Sequence, residues 1–144
     1  MSEHHRKLER MYLSAKVNNE IYDTTTCEIT DERSEIGLTV DEKYFHALNA
    51  IHGSVYFKLL DDAAYFAVNS IVHDVYVLTT SFNIHLTRPV QKGKLKAIGT
   101  VKHKSRKSFV AEATLYNEQG KVVAFGTGNF VKSQVELGEE IGYR

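Results

Sequence analysis

Residues 54–70, SVYFKLLDDAAYFAVNS, run without Gly or Pro and set apolar side chains around most of a helical circumference, leaving only a narrow polar strip. Such a segment predicts a helix wrapped by the rest of the fold rather than laid on its surface. Beyond it the pattern changes to alternation. Residues 75–87 place Tyr76, Leu78, Phe82, Ile84 and Leu86 on one parity, and Pro89 stops the strand. Residues 94–103, 108–116 and 121–131 read as three more strands, and their short connections favour an antiparallel meander. Ahead of the helix, residues 25–30 and 35–40 flank the turn-like Asp31-Glu32-Arg33-Ser34 and read as a hairpin. Residues 1–20 read as a polar helix whose stripe of Leu8, Met11, Tyr12 and Ala15 is thin, so it is expected to pack as an appendage. The whole pattern, residues 1–144, predicts one α+β domain in which a curved antiparallel β-sheet wraps a long central α-helix.

Composition narrows the class. A chain of 144 residues is one ordinary domain, long enough for a core without staples. Its one cysteine, Cys27, excludes an intramolecular disulfide and a cysteine-based zinc site, and the scattered histidines lack the paired spacing of a metal site. The start MSEHHRKLER is too charged for a signal peptide and no apolar run approaches a membrane span, so a cytoplasmic protein is expected. The formal net charge of zero hides an asymmetry. Residues 88–107 hold eight Lys or Arg and no Asp or Glu, so the remainder carries eight net negative charges. A basic strip of this kind fits an anionic partner or a solvated strand face.

The informative stretch is His46 to Ser70, HALNAIHGSVYFKLLDDAAYFAVNS. It resembles the hotdog-fold acyl-CoA thioesterases, in particular the phenylacetate-pathway branch, whose signature is a His-Gly-Gly-like turn opening the central helix and an Asp nine residues after the His. Here His52-Gly53 opens the helix and Asp61 follows at that spacing. LTTSFNIHLTRP from Leu78 and FVAEATLYNEQGKVVAFGTGNF from Phe109 fit the same family, so the resemblance covers roughly residues 35–132. It implies a hotdog fold, an obligate homodimer or dimer of dimers with shared sites, and no cofactor beyond the coenzyme A of the substrate. It also implies that Thr79 holds the attacking water beside Asp61. His46 stands where the family often has Asn, and Ser54 replaces the second Gly of the turn.

The residues make chemical sense on their own terms. Thioester hydrolysis needs donors where charge develops on the carbonyl oxygen and a base or nucleophile on the other side. A helix N-terminus offers unpaired N–H groups and partial positive charge, so His52-Gly53 is a candidate oxyanion site, with Ser54 able to cap the helix. Of the two adjacent acids, Asp62 has Lys58 four residues earlier and falls beside Asn69, as a solvated residue would. Asp61 lies between Phe57 and Tyr65 at four-residue spacing and is the carboxylate in apolar surroundings. Yet Gly53 and Asp61 are eight residues apart, about 12 Å along a helix, too far to touch one carbonyl. Two antiparallel central helices across a twofold axis would bring the Gly53 of one chain to the Asp61 of the other.

Phe57 and Tyr65 are candidates to line an acyl pocket, and Arg88, Lys102, Lys104, Arg106 and Lys107 to hold coenzyme A phosphates. The leading expectation is an acyl-CoA thioesterase. Two alternatives keep the fold: a non-catalytic acyl-CoA sensor, and a 3-hydroxyacyl-thioester dehydratase using His52 with Asp61. Nucleic-acid binding by the basic strip is not expected, because the strip lacks interleaved stacking aromatics.

Overall fold

The computed structural model describes residues 2–144; Met1, the first residue of the expected N-terminal helix, lies outside them. In chain order the elements are α1 (Glu3–Ser14), a π-helical turn (Val17–Ile21), β1 (Thr26–Thr30), β2 (Arg33–Thr39), a 3-10 turn (Glu42–Tyr44), α2 (Gly53–Asn69), β3 (Val75–Leu86), β4 (Lys94–Lys104), β5 (Ser108–Tyr116), β6 (Val122–Glu136) and a final 3-10 turn (Glu139–Ile141). The strands form one antiparallel sheet in the order β1-β2-β4-β5-β6-β3, and α2 packs against all six. This is the expected hotdog arrangement. No helix among the described residues is long and apolar enough to cross a membrane.

α2 is a core element because its apolar residues leave little face for water. Leu59, Leu60, Ala63, Ala64, Ala67 and Val68 are fully buried, and a fully buried Leu-sized side chain contributes roughly 1.5–3 kcal/mol. The sheet approaches the helix closely at Gly99 of β4, where an added Cβ would fall 2.2 Å from the Ala63 carbonyl oxygen. Only glycine permits that approach. The same carbonyl accepts from the Ser34 hydroxyl of β2 at 2.6 Å.

Three features depart from the sequence reading. First, β3 does not neighbour β4; it pairs with β6, while β4 pairs with β2. The β3–β4 connection, residues 87–93, is not a hairpin turn but a crossover past the N-terminal end of α2. Tyr56 of α2 donates to the Arg88 carbonyl at 2.7 Å, and the Ile51 N–H donates to the Val90 carbonyl at 3.0 Å. Pro89 within this connection has no N–H for a ladder.

Second, α1 is not a loose appendage. Leu8, Met11 and Tyr12 join the core, and His4 and His5 are buried with ring nitrogens 2.9 and 3.3 Å from the carbonyl oxygens of Asn69 and Ser70. They satisfy acceptors that the C-terminus of α2 would otherwise leave unpaired. α1 also covers the β1 edge, where Glu9 accepts from the Ile29 N–H and Arg6 donates to the Ile29 carbonyl. β1 is thereby blocked as a pairing edge, whereas the twelve-residue β3 edge stays open.

Third, the parity of β3 changes within the strand. The register with β6 shifts between Thr79 and Ser81, the signature of a bulge at Thr80. Before it Val77 and Thr79 face α2 and Leu78 faces out; after it Phe82 turns inward, over the space left by Gly126 and Gly128. Simple alternation had put Leu78 and Phe82 on one face.

Candidate active site

The bulge in β3 brings Thr79 to Asp61. The Thr79 hydroxyl donates to Asp61 Oδ1 at 2.8 Å, so the two residues that the resemblance sets beside one attacking water are in direct contact. Burial pushes the Asp61 carboxyl up to about 6. The Thr79 hydrogen bond opposes that rise, the neighbouring Asp62 charge adds to it and Lys58 offsets part of it. Asp61 is therefore a carboxylate whose basicity is raised towards neutral pH while a hydroxyl fixes its orientation.

Asp61 opens into a cavity of about 660 Å³. α2 supplies Lys58, Asp62, Tyr65 and Phe66 to its wall, β3 supplies residues 76–79, and the opposite side comes from the α1 segment with Met11, Tyr12 and Asn18. Tyr65 lines this cavity as expected, with its ring edge-on to Phe66 and Phe130. Phe57 does not; it lies 41 % exposed on α2, edge-on to Phe82.

Asp62 corrects the sequence reading. Its ion pair with Lys58 is present, but the side chain is not solvated: it also accepts from the Tyr12 hydroxyl at 2.6 Å. The helical-wheel argument failed because Asn69, its neighbour on the wheel, is fully buried and ties the end of α2 to the start of β3. α1 covers the face that a lone helix would show to water.

Gly53 sits in a different, smaller cavity of about 310 Å³, together with His46, Tyr56, Leu86 and Arg88. The two cavities share no lining residue. Gly53 is the first residue of α2, and among the described residues nothing accepts from its N–H. His52 is the helix cap: its Nδ1 accepts from the Ser54 N–H at 3.0 Å and lies 2.9 Å from the Ser54 hydroxyl. The imidazole is thus folded onto its own helix and does not line the Asp61 cavity of its own chain. His46 likewise serves its loop, where Nδ1 accepts from the Leu48 N–H at 3.0 Å.

The basic residues separate into two groups. Arg88 lines the Gly53 cavity. Lys104 and Arg106 lie at the other end of α2, in a hollow with Ile71, Val72 and Lys132, a cation the basic-strip reading missed because it lies outside residues 88–107. Lys102 and Lys104 pair within the chain with Glu112 and Glu32. A further hollow of about 540 Å³, over β1, β2 and β4, contains none of the expected site residues.

The family model of the thioesterase superfamily matches residues 48–124, more than half of the chain and the stretch holding Gly53, Asp61 and Thr79. Among solved structures, the Escherichia coli PaaI protein from the phenylacetic acid degradation operon is 21% identical, with a TM-score of 0.81 over 94% of this chain and 99% of that one. A conserved protein from Pseudomonas aeruginosa is 24% identical, with a TM-score of 0.76 over 85% of this chain and 97% of its own. A mutant of the phenylacetic acid degradation protein PaaI from Thermus thermophilus is 20% identical, with a TM-score of 0.69 over 76% of this chain and 93% of that one. No curated protein matches. With the family model spanning the helix opening, Asp61 and Thr79, this chain belongs to the thioesterase superfamily.

Proposed function

We propose that the chain is an acyl-CoA thioesterase whose site is shared between two copies, with Asp61 as general base or nucleophile. The observation that carries this reading is the half-buried Asp61 carboxylate, oriented by Thr79 and opening into a cavity large enough for an acyl group. As a base, Asp61 takes a proton from water as the oxygen attacks the thioester carbonyl carbon. The oxyanion then accepts a hydrogen bond from the Gly53 N–H of the second copy, and collapse expels the coenzyme A thiolate, which takes up the proton. As a nucleophile, the same carboxylate would attack the carbonyl carbon and expel the coenzyme A thiolate, forming an anhydride that water then opens to the free acid and the Asp61 carboxylate, its proton passing to the thiolate.

The case for two copies rests on spacing and exposure. Midway between Gly53 and Asp61 on α2 stands Phe57, exposed, with Leu78 and Leu86 exposed on the open edge strand β3. Antiparallel pairing of two α2 helices about Phe57 covers that apolar group and sets each Gly53 against the other chain's Asp61. The same pairing directs the turn at Lys104–Lys107 of one copy towards the Gly53 end of the other, where Arg88 lies. Those cations suit the phosphates of coenzyme A.

The test is a panel of aliphatic and aryl acyl-CoAs with release of free thiol as the readout. Hydrolysis of some members is expected, and Asp61→Ala is expected to lower kcat by about 10²–10⁴ in a chain that still folds. Inactivity across the panel, or full activity of Asp61→Ala, would overturn the proposal.

A further inference from the structure

Lys58 has two acids within reach on its own helix. It precedes Asp61 by three residues and Asp62 by four, and both spacings let side chains meet on a helix surface. The ammonium goes to Asp62: Lys58 Nζ pairs with Asp62 Oδ2, and the same oxygen accepts from the Tyr12 hydroxyl at 2.6 Å. Two aromatic rings close around it, with Nζ 5.2 Å from the centroid of Tyr12 and 4.9 Å from that of Tyr22. Tyr22 in turn stacks on Tyr44, whose hydroxyl donates to the Ile21 carbonyl at 3.0 Å. The side chains of Lys58 and Asp62 are left only 14 % and 18 % exposed.

Asp61 is treated differently. Thr79 donates to it, and among the described residues it enters no ion pair. The titratable groups that face it around the cavity are Lys58, Asp62 and Tyr65 of α2, Tyr12 of α1 and Tyr76 of β3, with Cys27 of β1 adjoining Tyr12 and Asp62. Burial pushes Tyr12, Tyr65 and Cys27 up, so they stay uncharged near neutral pH. Lys58 and Asp62 are then the charges that act on Asp61, the acid raising its carboxyl and the cation lowering it. An ammonium seated directly on Asp61 would stabilise the carboxylate and weaken it as a base.

We propose that Asp62 is a positioning residue that, with the Tyr12 and Tyr22 rings, holds Lys58 away from Asp61 and leaves that carboxylate without a counter-ion. This role rests on the thioesterase reading, which gives Asp61 the chemistry, and extends it to a residue that acts through Lys58.

Asp62→Asn keeps an acceptor for Tyr12 but frees Lys58, which then reaches Asp61 at the three-residue spacing. Two readouts are taken on the full chain: the acidic limb of kcat/KM for a hydrolysed acyl-CoA, and the titration of the Asp61 side-chain carboxyl followed by carbon NMR. Both are expected to move down from about 6 in Asp62→Asn, by about one pH unit or more, and to return close to the wild-type value when Lys58→Met is added. A merely structural ion pair would lower Tm in the single variant without moving either readout. Asp62→Ser repeats the comparison with a shorter acceptor if Asp62→Asn folds poorly. An unmoved titration in the single variant, or a shift that persists once Lys58 is gone, overturns this inference. Inactivity towards every acyl-CoA overturns the thioesterase reading alone, because the carboxyl titration still reports where Lys58 sits.

Discussion

At the scale of single residues, the role proposed for Asp61 comes with a cost in stability. Its carboxyl sits at about 6 in the folded chain against an ordinary value of 3.8. A carboxyl raised on folding favours the folded state most below its unfolded value, and that advantage is lost as pH rises through the folded value. The rise corresponds to a penalty of up to ~3 kcal/mol at neutral pH. Asp61→Asn is therefore expected to raise Tm at pH 7–8 and to leave it nearly unchanged near pH 3.5, measured by thermal unfolding across pH. The role proposed for Asp61 requires its deprotonated form, so kcat/KM should rise with pH through about 6 and then level off. Activity flat from pH 4.5 to 8 would contradict the assignment of Asp61 as the ionising group. The apolar surroundings of Asp61 were legible in the sequence from its neighbours at four-residue spacing, whereas the enclosure of Asp62 was not, because Tyr12 of α1 covers it. The contact with Thr79 was not, since a bulge at Thr80 reverses the parity that alternation assigns.

At the scale of elements, α1 was the part least legible in advance. Its apolar stripe is thin, and beside Leu8, Met11 and Tyr12 in the core it is held by polar contacts: His4 and His5 against the end of α2, Glu9 and Arg6 on the β1 edge, and Tyr12 on Asp62. Periodicity of apolar residues carries no record of such partners. The central helix and five of the six strands were legible nearly to their ends, because the helix has an unbroken apolar run and turn residues mark where the strands stop. The neighbour of β3 was not, since the 87–93 crossover depends on tertiary hydrogen bonds from Tyr56 and Ile51. Tyr12→Phe keeps the edge-on contact with Phe66 but removes a donor from the buried Asp62 carboxylate. A loss of about 1–3 kcal/mol in denaturant unfolding is expected, with the wall of the acyl cavity loosened as α1 detaches. A loss within ±0.3 kcal/mol would show that α1 is held by packing alone.

At the scale of the molecule, the proposed site needs two copies, because one chain keeps its parts apart. Gly53 and Asp61 open into separate cavities, and one sheet edge is covered while the other lies open beside exposed Phe57, Leu78 and Leu86. The proposed recognition of coenzyme A belongs to this scale as well. Neutralising Arg88, Arg106 and Lys107 together should raise KM for a CoA thioester more than for a minimal thioester lacking the nucleotide; an equal rise for both would remove the phosphate role.

The shared site is tested most directly by mixing two inactive chains. Gly53→Pro deletes the N–H at a first helical position, where proline fits and where the preceding His52 is already extended. Asp61→Asn deletes the carboxylate. Each variant alone should be nearly inactive, whereas dimers formed by co-refolding equal amounts should regain about a quarter of wild-type activity, because half of them carry one intact site of two. No recovery from folded mixed dimers would contradict a site built from two chains.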